Sequence, residues 1–203
     1  MNSAKNKLER TVRYYDGQAE DWAGKHGGYE NESYWKTEME KFHQLMPHGR
    51  IIEIGSGAGK DACALIKMGY DYTGTDASSG LLSVAQRRNP EATFVNAAVH
   101  DLQFPENSFD GFWTAATLLH LPKTDVDSAL QLINKIVKHN GIGFISMKQG
   151  SGEKEDVETG RWFSYYQLDE FGEKLTQNGF EIVENNTRKG EKDIWLVYFV
   201  RKT

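Results

Sequence analysis

The sequence predicts an α/β protein in which a mostly parallel β-sheet carries helices on both faces. Short apolar runs alternate with segments of helical periodicity from residue 51 to 147, the pattern that βαβ units produce. The first run, Ile51–Ile54, ends in a glycine-rich turn, which is typical of a buried strand that delivers a loop to a ligand. The last two runs, 180–187 and 194–201, are separated only by 188–193. That gap is too short for a crossover, so they are predicted to pair antiparallel.

The first fifty residues predict helices with a glycine-rich break at Gly24–Gly28. The clearest helix runs from Tyr34 to about Met46, where Pro47 and Gly49 end it. Its apolar side chains recur at helical spacing, at Trp35, Met39, Phe42 and Met46.

The segments that follow alternate in type and predict the order of the sheet elements. Five strands are predicted, at Ile51–Ile54, Tyr70–Thr75, Thr93–Asn96, Phe109–Thr114 and Ile142–Met147. The helices between them are predicted at Asp61–Lys67, Gly80–Arg88 and Asp125–Lys138. Thr124 is the expected N-cap of the last of these helices, and Gly141 is its expected C-terminal stop. A helix at Leu168–Asn178 and strands at Phe180–Thr187 and Ile194–Arg201 complete the chain.

The composition is that of one domain with nearly balanced charge. The chain has 203 residues and a formal net charge of −5, which gives no long-range attraction to nucleic acid or an anionic membrane. Cys63 is the only cysteine, so no internal disulfide forms, which suits a reducing compartment. No apolar stretch approaches the ~20 residues of a membrane span, and the polar N-terminus lacks a signal-peptide core. We therefore expect a cytoplasmic protein that contacts neither membrane nor nucleic acid.

The turn after the first strand discriminates among nucleotide-binding motifs. A P-loop requires Gly-Lys-Ser/Thr, but Asp61 follows Gly59-Lys60 where a hydroxyl must bind magnesium. A dinucleotide fingerprint requires G-x-G-x-x-G, and counting from Gly55 puts Lys60 in place of the third glycine. The pattern is instead G-x-G-x-G, formed by Gly55, Gly57 and Gly59. Such glycines let the backbone approach a ligand closely.

This turn, with Glu53 two residues before its first glycine, resembles motif I of the class I S-adenosylmethionine (SAM)-dependent methyltransferases. The resemblance implies that Glu53 lies near the methionine ammonium of SAM, because a carboxylate suits an ammonium. The turn backbone, near a helix N-terminus, favours a carboxylate. The segment Thr75–Ser78 resembles the family's sequence after the second strand, where Asp76 would bind both ribose hydroxyls and Ser78 would cap the next helix. The cofactor-binding residues implied by these two motifs are Glu53, Gly55, Ser56, Gly57, Gly59, Asp76, Ala77 and Ser78.

The match covers residues 10 to 203 and implies the Rossmann-like, seven-stranded methyltransferase fold. The sheet order expected from the family is 3-2-1-4-5-7-6, with strand 7 antiparallel. The resemblance also implies a single domain over 1–203, in which 1–48 form an N-terminal helical lid and 49–203 form the catalytic core.

The adenine contact departs from the family pattern. Many relatives have an Asp at the position of Ala98 to bind the adenine amino group. The backbone of Val99 and His100, or the side chain of Asp101, is the expected substitute. Thr114, at the end of the fourth strand, completes the residues expected at the cofactor.

The N-terminal segment Tyr14-Tyr15-Asp16, followed by Ala19 and Trp22, resembles the helix that covers the cofactor in many relatives. Tyr15 would reach the methionine carboxylate, and Trp22 would line the pocket.

His120 lies near the end of the exit segment 113–122, on the ligand side of the sheet. It is either a general base toward a hydroxyl or carboxyl acceptor, for which a pKa near 6.5 is useful, or a structural histidine below the cofactor.

The loop after the fifth strand predicts the acceptor site. Residues 148–153 and 160–166 resemble a stretch found in a subgroup of small bacterial methyltransferases. Lys148 and Arg161 are expected to bind an acidic acceptor, and Tyr165 to contribute to an apolar wall.

The sequence therefore predicts a SAM-dependent methyltransferase that acts on a small molecule and releases S-adenosylhomocysteine (SAH), as a monomer or homodimer. No metal site is predicted, because the histidines lack ligand spacing. The alternatives are a tRNA or protein methyltransferase, a non-catalytic SAM-binding regulator and a nicotinamide oxidoreductase.

Overall fold

The computed structural model describes residues 4–25 and 33–203 of the chain. Three helices precede the sheet, α1 (Ala4–Gly17), α2 (Ala19–Lys25) and α3 (Lys36–Leu45). The helix predicted from Tyr34 is therefore confirmed as α3, which starts two residues later because Trp35 occupies its N-cap. The predicted break at Gly24–Gly28 lies partly outside the described residues, at 26–28.

One seven-stranded sheet forms the centre of the fold. Its strands are β1 (Arg50–Ile54), β2 (Asp71–Asp76), β3 (Thr93–Asn96), β4 (Phe109–Ala115), β5 (Val137–Lys148), β8 (Phe180–Lys189) and β9 (Ile194–Lys202). The helices that connect them are α4 (Lys60–Lys67), α5 (Ser79–Arg88), α6 (Val126–Ile136) and α7 (Leu168–Gln177). The strand order is β3-β2-β1-β4-β5-β9-β8, and β9 runs antiparallel to both of its neighbours. The predicted fold and sheet order are confirmed.

The boundary between α6 and β5 differs from the prediction. The helix ends at Ile136, because Val137 already pairs with Phe109 of β4, and Gly141 lies inside β5 rather than at a helix stop. Thr124 is not the N-cap. Asp125 occupies that position, and the Thr124 hydroxyl donates to its carboxylate at 2.8 Å.

A second, two-stranded sheet was missed by the sequence analysis. The short strands β6 (Glu153–Glu155) and β7 (Trp162–Ser164) form an antiparallel hairpin after β5. The hairpin is fastened to α1, because the Thr11 hydroxyl accepts a hydrogen bond from the Trp162 N–H at 3.0 Å. Arg10 also pairs with Glu155 at 2.7 Å.

Apolar clusters cover both faces of the main sheet. One includes Ile133 of α6 and Phe171 of α7, and the other includes Phe42 of α3 and Leu65 of α4. Because β1 to β5 run parallel, their carboxyl ends meet at one edge of the sheet, where α/β proteins bind ligands. No helix among residues 4–25 and 33–203 is long and apolar enough to cross a membrane.

Candidate active site at the carboxyl edge of the sheet

Glycine is required at the three positions after β1 for different structural reasons. All adopt left-handed backbone, with φ of +77° at Gly55, +52° at Gly57 and +74° at Gly59. A Cβ at Gly55 would lie 2.1 Å from Oγ1 of Thr117, and one at Gly59 would lie 2.7 Å from Nδ2 of Asn89. A Cβ at Gly57 would meet nothing within 4 Å. Gly55 and Gly59 therefore serve internal packing, whereas Gly57 borders open space at the position where a ligand is expected.

Asp76, at the end of β2, lies directly beside this turn. Its Oδ2 accepts from the Gly57 N–H at 2.9 Å and its Oδ1 accepts from the Ser78 N–H at 2.8 Å. Burial raises the pKa of this carboxyl. Ser78 caps α5 as expected, because its hydroxyl accepts from the Leu81 N–H at 3.1 Å.

Glu53 is buried under the turn, with 3% of its surface exposed. The Tyr72 hydroxyl donates to its carboxylate. Burial raises the pKa of Glu53 well above its ordinary value, and the negative charges of Asp61 and Asp76 act in the same direction. None of the ion pairs within the described part of the chain involves these three carboxyl groups. The cluster therefore favours a cationic ligand group.

Asp61 is a feature that the sequence analysis used only to exclude a P-loop. Its carboxylate accepts from the Ser33 hydroxyl at 2.8 Å and from Nε1 of Trp113 at 3.0 Å. It therefore ties α4 to the start of α3 and to β4. An aspartate in the first turn of a helix was the signal present in the sequence, but neither partner could be identified from it.

The helix α1 is docked onto the site through Asp16. Its Oδ1 accepts from the Ser78 hydroxyl at 2.7 Å and from the Gly80 N–H at 2.9 Å, at the beginning of α5. On the next helix, α2, the centre of the Trp22 ring lies 5.0 Å from the centre of the Tyr15 ring. The structure thus places the N-terminal helix beside the predicted cofactor residues.

Tyr15, His120 and Arg161 were predicted for three separate roles, and the Tyr15 hydroxyl is hydrogen-bonded to both of the other two. The Nδ1 of His120 lies 2.7 Å from the Trp162 carbonyl oxygen, which can only accept, so Nδ1 carries the proton. Nε2 therefore accepts from the Tyr15 hydroxyl at 3.0 Å. Nη1 of Arg161 donates to the same hydroxyl at 3.1 Å. The lone pair that a general base would use is occupied.

The environment of His120 also changes its titration. Burial lowers the pKa of His120 from 6.5 to about 4, and the positive charges of Arg161 and Lys148 act in the same direction. The ring is neutral at pH 7. This pKa lies below the value near 6.5 that suits a general base at neutral pH.

The predicted acceptor residues surround Phe163. The Arg161 guanidinium lies 5.1 Å from the centre of that ring, and Nζ of Lys148 lies 4.8 Å from it. Lys148 also pairs with Asp193 at 2.8 Å, so its charge is already partly matched within the chain. Tyr165 is more distant, because the centre of its ring lies 6.4 Å from the centre of the Phe163 ring.

The residues expected at the adenine form a short 3₁₀ turn, Val99–Asp101. The Val99 side chain is buried in the core, so only its backbone is available to a ligand. Asp101 and Ala98 line a cavity of about 510 Å³ together with Ala77, which follows the ribose-site residue Asp76.

Two buried hydroxyls at this edge have no hydrogen-bond partner among the described residues, those of Ser56 and Thr114. Unpaired buried hydroxyls are costly, and a bound polar ligand would satisfy them. Together with the space beside Gly57, they fit a cofactor at the end of β1 and β4. Within residues 4–25 and 33–203, no cluster of three metal-ligating side chains occurs.

The comparisons with known proteins agree with this geometry. A family described as a methyltransferase domain matches residues 52–145. An uncharacterized methyltransferase of Synechocystis is 29% identical over 110 residues, which are 51% of this chain and 52% of that protein. The chain spans about half the length of the curated relatives it matches.

Two solved structures share the whole fold. The 1,6-didemethyltoxoflavin N1-methyltransferase of Burkholderia thailandensis, solved with that molecule and SAH, has a TM-score of 0.81 at 20% identity. The match covers 100% of this chain and 92% of that one. Magnesium protoporphyrin IX methyltransferase of Synechocystis, solved with SAM, has a TM-score of 0.75 at 15% identity over 100% of both chains. Both structures have the fold that the resemblance of the glycine turn implies.

Proposed function

We propose that the chain is a SAM-dependent methyltransferase that methylates a small molecule, because residues 52–145 match a methyltransferase-domain family and the fold is that of the class I enzymes. The observation that carries this proposal is the turn at Gly57, which has open space beside it and donates its N–H to the buried carboxyl of Asp76, while the buried carboxyl of Glu53 lies near enough to feel the charge of Asp76. A ligand that carries an amino-acid ammonium at one end and ribose hydroxyls farther along complements these two carboxyl groups.

The cofactor residues have distinct proposed roles. Glu53 faces the ammonium, the backbone from Gly55 to Gly59 binds the carboxylate, and Asp76 binds the ribose hydroxyls. The adenine lies against Ala77 and the turn Val99–Asp101. The remaining polar atoms proposed to contact the cofactor belong to Tyr15, Ser56, Ser78, His100 and Thr114.

SAM supplies a methyl group on a sulfonium, which is displaced in line by the acceptor. The chain must then orient the two reactants and exclude water. Residues 1–48 are proposed to form the lid that does so, over a core of 49–203. In this scheme His120 orients Tyr15 through Nε2, since its lone pair already accepts from the Tyr15 hydroxyl. A base role for His120 would require that bond to break.

The acceptor is proposed to lie beside Phe163, between α1 and the β6–β7 hairpin. Arg161 and Lys148 both approach this ring, and their charges favour an acceptor that carries a carboxylate or another anionic group. Trp22 and Tyr165 add aromatic surface, which suits a planar acceptor.

The proposal is tested by incubating the purified protein with SAM and separate pools of small aromatic acids, bulk tRNA and proteins, and measuring SAH. SAH formation only with a small-molecule pool is the expected result. Formation with tRNA or protein would move the acceptor to a macromolecule, and SAH binding without turnover in any pool would favour a regulator. Asp76→Asn should abolish turnover, whereas Asp71→Asn, at the exposed start of the same strand, is the matched control.

A further inference from the structure

Two cavities meet at the adenine end of the proposed cofactor site. The first, of about 510 Å³, and the second, of about 730 Å³, share Ala77, Ala98 and Asp101 in their linings. The second cavity continues away from the sheet between α1 and the segment that contains Leu121. Its volume lies within the range that holds a drug-sized molecule. One adenine base does not account for both spaces.

The direction of the base follows from the residues around Asp76. Gly57 donates its N–H to Oδ2 of Asp76, and Ala77, the residue after Asp76, lines the first cavity together with Ala98. A nucleoside with its ribose at Asp76 and its amino-acid end at Gly57 must therefore extend its base toward Ala77 and Ala98. The base is joined to ribose through N9, so the edge that carries the exocyclic N6 amino group points farthest from Asp76, toward the wall that the cavities share.

The wall that the two cavities share offers little steric obstruction. Ala77 and Ala98 each present only a methyl group, and Asp101 presents a carboxylate that can accept from an N6–H. Beyond them, the second cavity has apolar surface from Leu8 and Val12 of α1 and from Leu121 and Pro122. Its polar rim includes Arg13 and His100.

Helix α1, which forms the outer wall of the second cavity, is held in place by hydrogen bonds. Asp16 docks α1 on the start of α5 through two hydrogen bonds of 2.7 and 2.9 Å. The same helix is joined to the β6–β7 hairpin through the Thr11 hydroxyl. The cavity is therefore present whenever α1 is docked on α5 and on the hairpin.

We propose that the N6 edge of the bound adenine opens into the second cavity, so that the site accepts cofactor analogues enlarged at N6 by an apolar group. This inference rests on the proposed function, because it requires the cofactor at Asp76. A secondary amine at N6 keeps one N–H for Asp101, while its substituent lies along Leu8 and Val12.

The test compares SAH with N6-benzyl-SAH by calorimetric titration of the full chain. We expect the two dissociation constants to agree within about threefold. A benzyl analogue that binds more than tenfold weaker than SAH would overturn the inference while leaving the proposed function intact. Failure of SAH itself to bind would instead overturn the proposed function.

A variant in the far cavity makes the test specific. Val12→Trp, on α1, should weaken N6-benzyl-SAH at least tenfold and leave SAH within threefold of the parent protein. Val12→Ala is the matched control and should change the dissociation constant of either ligand by less than threefold, because it keeps the cavity open. If Val12→Trp weakens both ligands equally, or neither, the benzyl group does not occupy this cavity and the inference is wrong.

Discussion

The Tyr15 hydroxyl donates a hydrogen bond to Nε2 of His120 at 3.0 Å, across 105 positions of sequence. Arg161 donates to the same hydroxyl, and the Trp162 carbonyl accepts from the other ring nitrogen. The N-terminal helix, the exit of β4 and the β6–β7 hairpin therefore meet at one neutral histidine. Opening of the proposed lid requires this contact to break.

His120 should make stability depend on pH in a defined direction. Its folded pKa of about 4 lies below its unfolded value of 6.5, so the stability it contributes is lost as pH falls from about 6.5 toward 4. Between pH 7 and pH 5 the loss should be about 2 kcal/mol. We expect urea unfolding of His120→Gln to show a smaller loss over this interval. His139→Gln, at an exposed position, is the control. Equal pH dependence in His120→Gln and the parent protein would contradict the neutral, buried ring.

Alanine substitution at Gly57 and at Gly55 should separate packing from ligand binding. Gly57→Ala should cost about 1 kcal/mol of unfolding free energy, because only the left-handed φ is unfavourable. It should weaken SAH binding more than tenfold, since the new methyl enters the space proposed for the cofactor. Gly55→Ala should cost about 2 to 3 kcal/mol, because its methyl would overlap Thr117. Urea unfolding and calorimetry measure both effects. Unchanged SAH affinity in Gly57→Ala would place the ligand elsewhere.

Glu53→Gln should increase stability and decrease cofactor affinity. The raised pKa of Glu53 means that its charged form is disfavoured in the folded chain, so a neutral amide should raise the free energy of unfolding at pH 7. Binding of SAH should weaken about 10- to 100-fold, because a hydrogen bond to a charged group is lost. 5′-Methylthioadenosine, which lacks the ammonium, is the control ligand and should bind both proteins equally. Equal weakening of both ligands would mean that Glu53 does not contact the amino-acid end.

Asp16→Ala should loosen α1 without unfolding the core. The substitution removes acceptors from Ser78 and Gly80, which should cost about 1 kcal/mol. Amide hydrogen exchange is expected to accelerate in residues 4–17 while the strands keep their protection. Glu9→Ala, on the exposed side of the same helix, is the control. Uniform acceleration through the sheet would show that α1 belongs to the global folding unit.

The alternation of apolar runs and helical segments was sufficient to predict the α/β class and its elements, because each βαβ unit is encoded locally, whereas the sheet order was implied only by the family resemblance. The hairpin of β8 and β9 followed from the short connection at 188–193. Long-range pairing was not accessible in this way. The end of α6 is set by the contact of Val137 with Phe109, and β6 is too short and polar to produce an alternating pattern.

The same limit applies to the candidate site. Glu53, Asp76 and the glycines were identified because they are close in sequence to recognisable strands. The actual surroundings of Lys148, which pairs with Asp193, and of Asp61, which accepts from Ser33 and Trp113, depend on packing between distant elements. The occupied lone pair of His120 is a third case, since its donor lies on α1.

Calorimetric titration of SAM and SAH into the purified chain, with NAD as the control ligand, tests the central claim most directly. We expect SAM and SAH each to bind with a micromolar dissociation constant and one ligand per chain, and NAD to give no heat of binding. Absence of SAM and SAH binding, or saturable binding of NAD, would contradict the assignment of Glu53, Gly57 and Asp76 to a methyl-donor site.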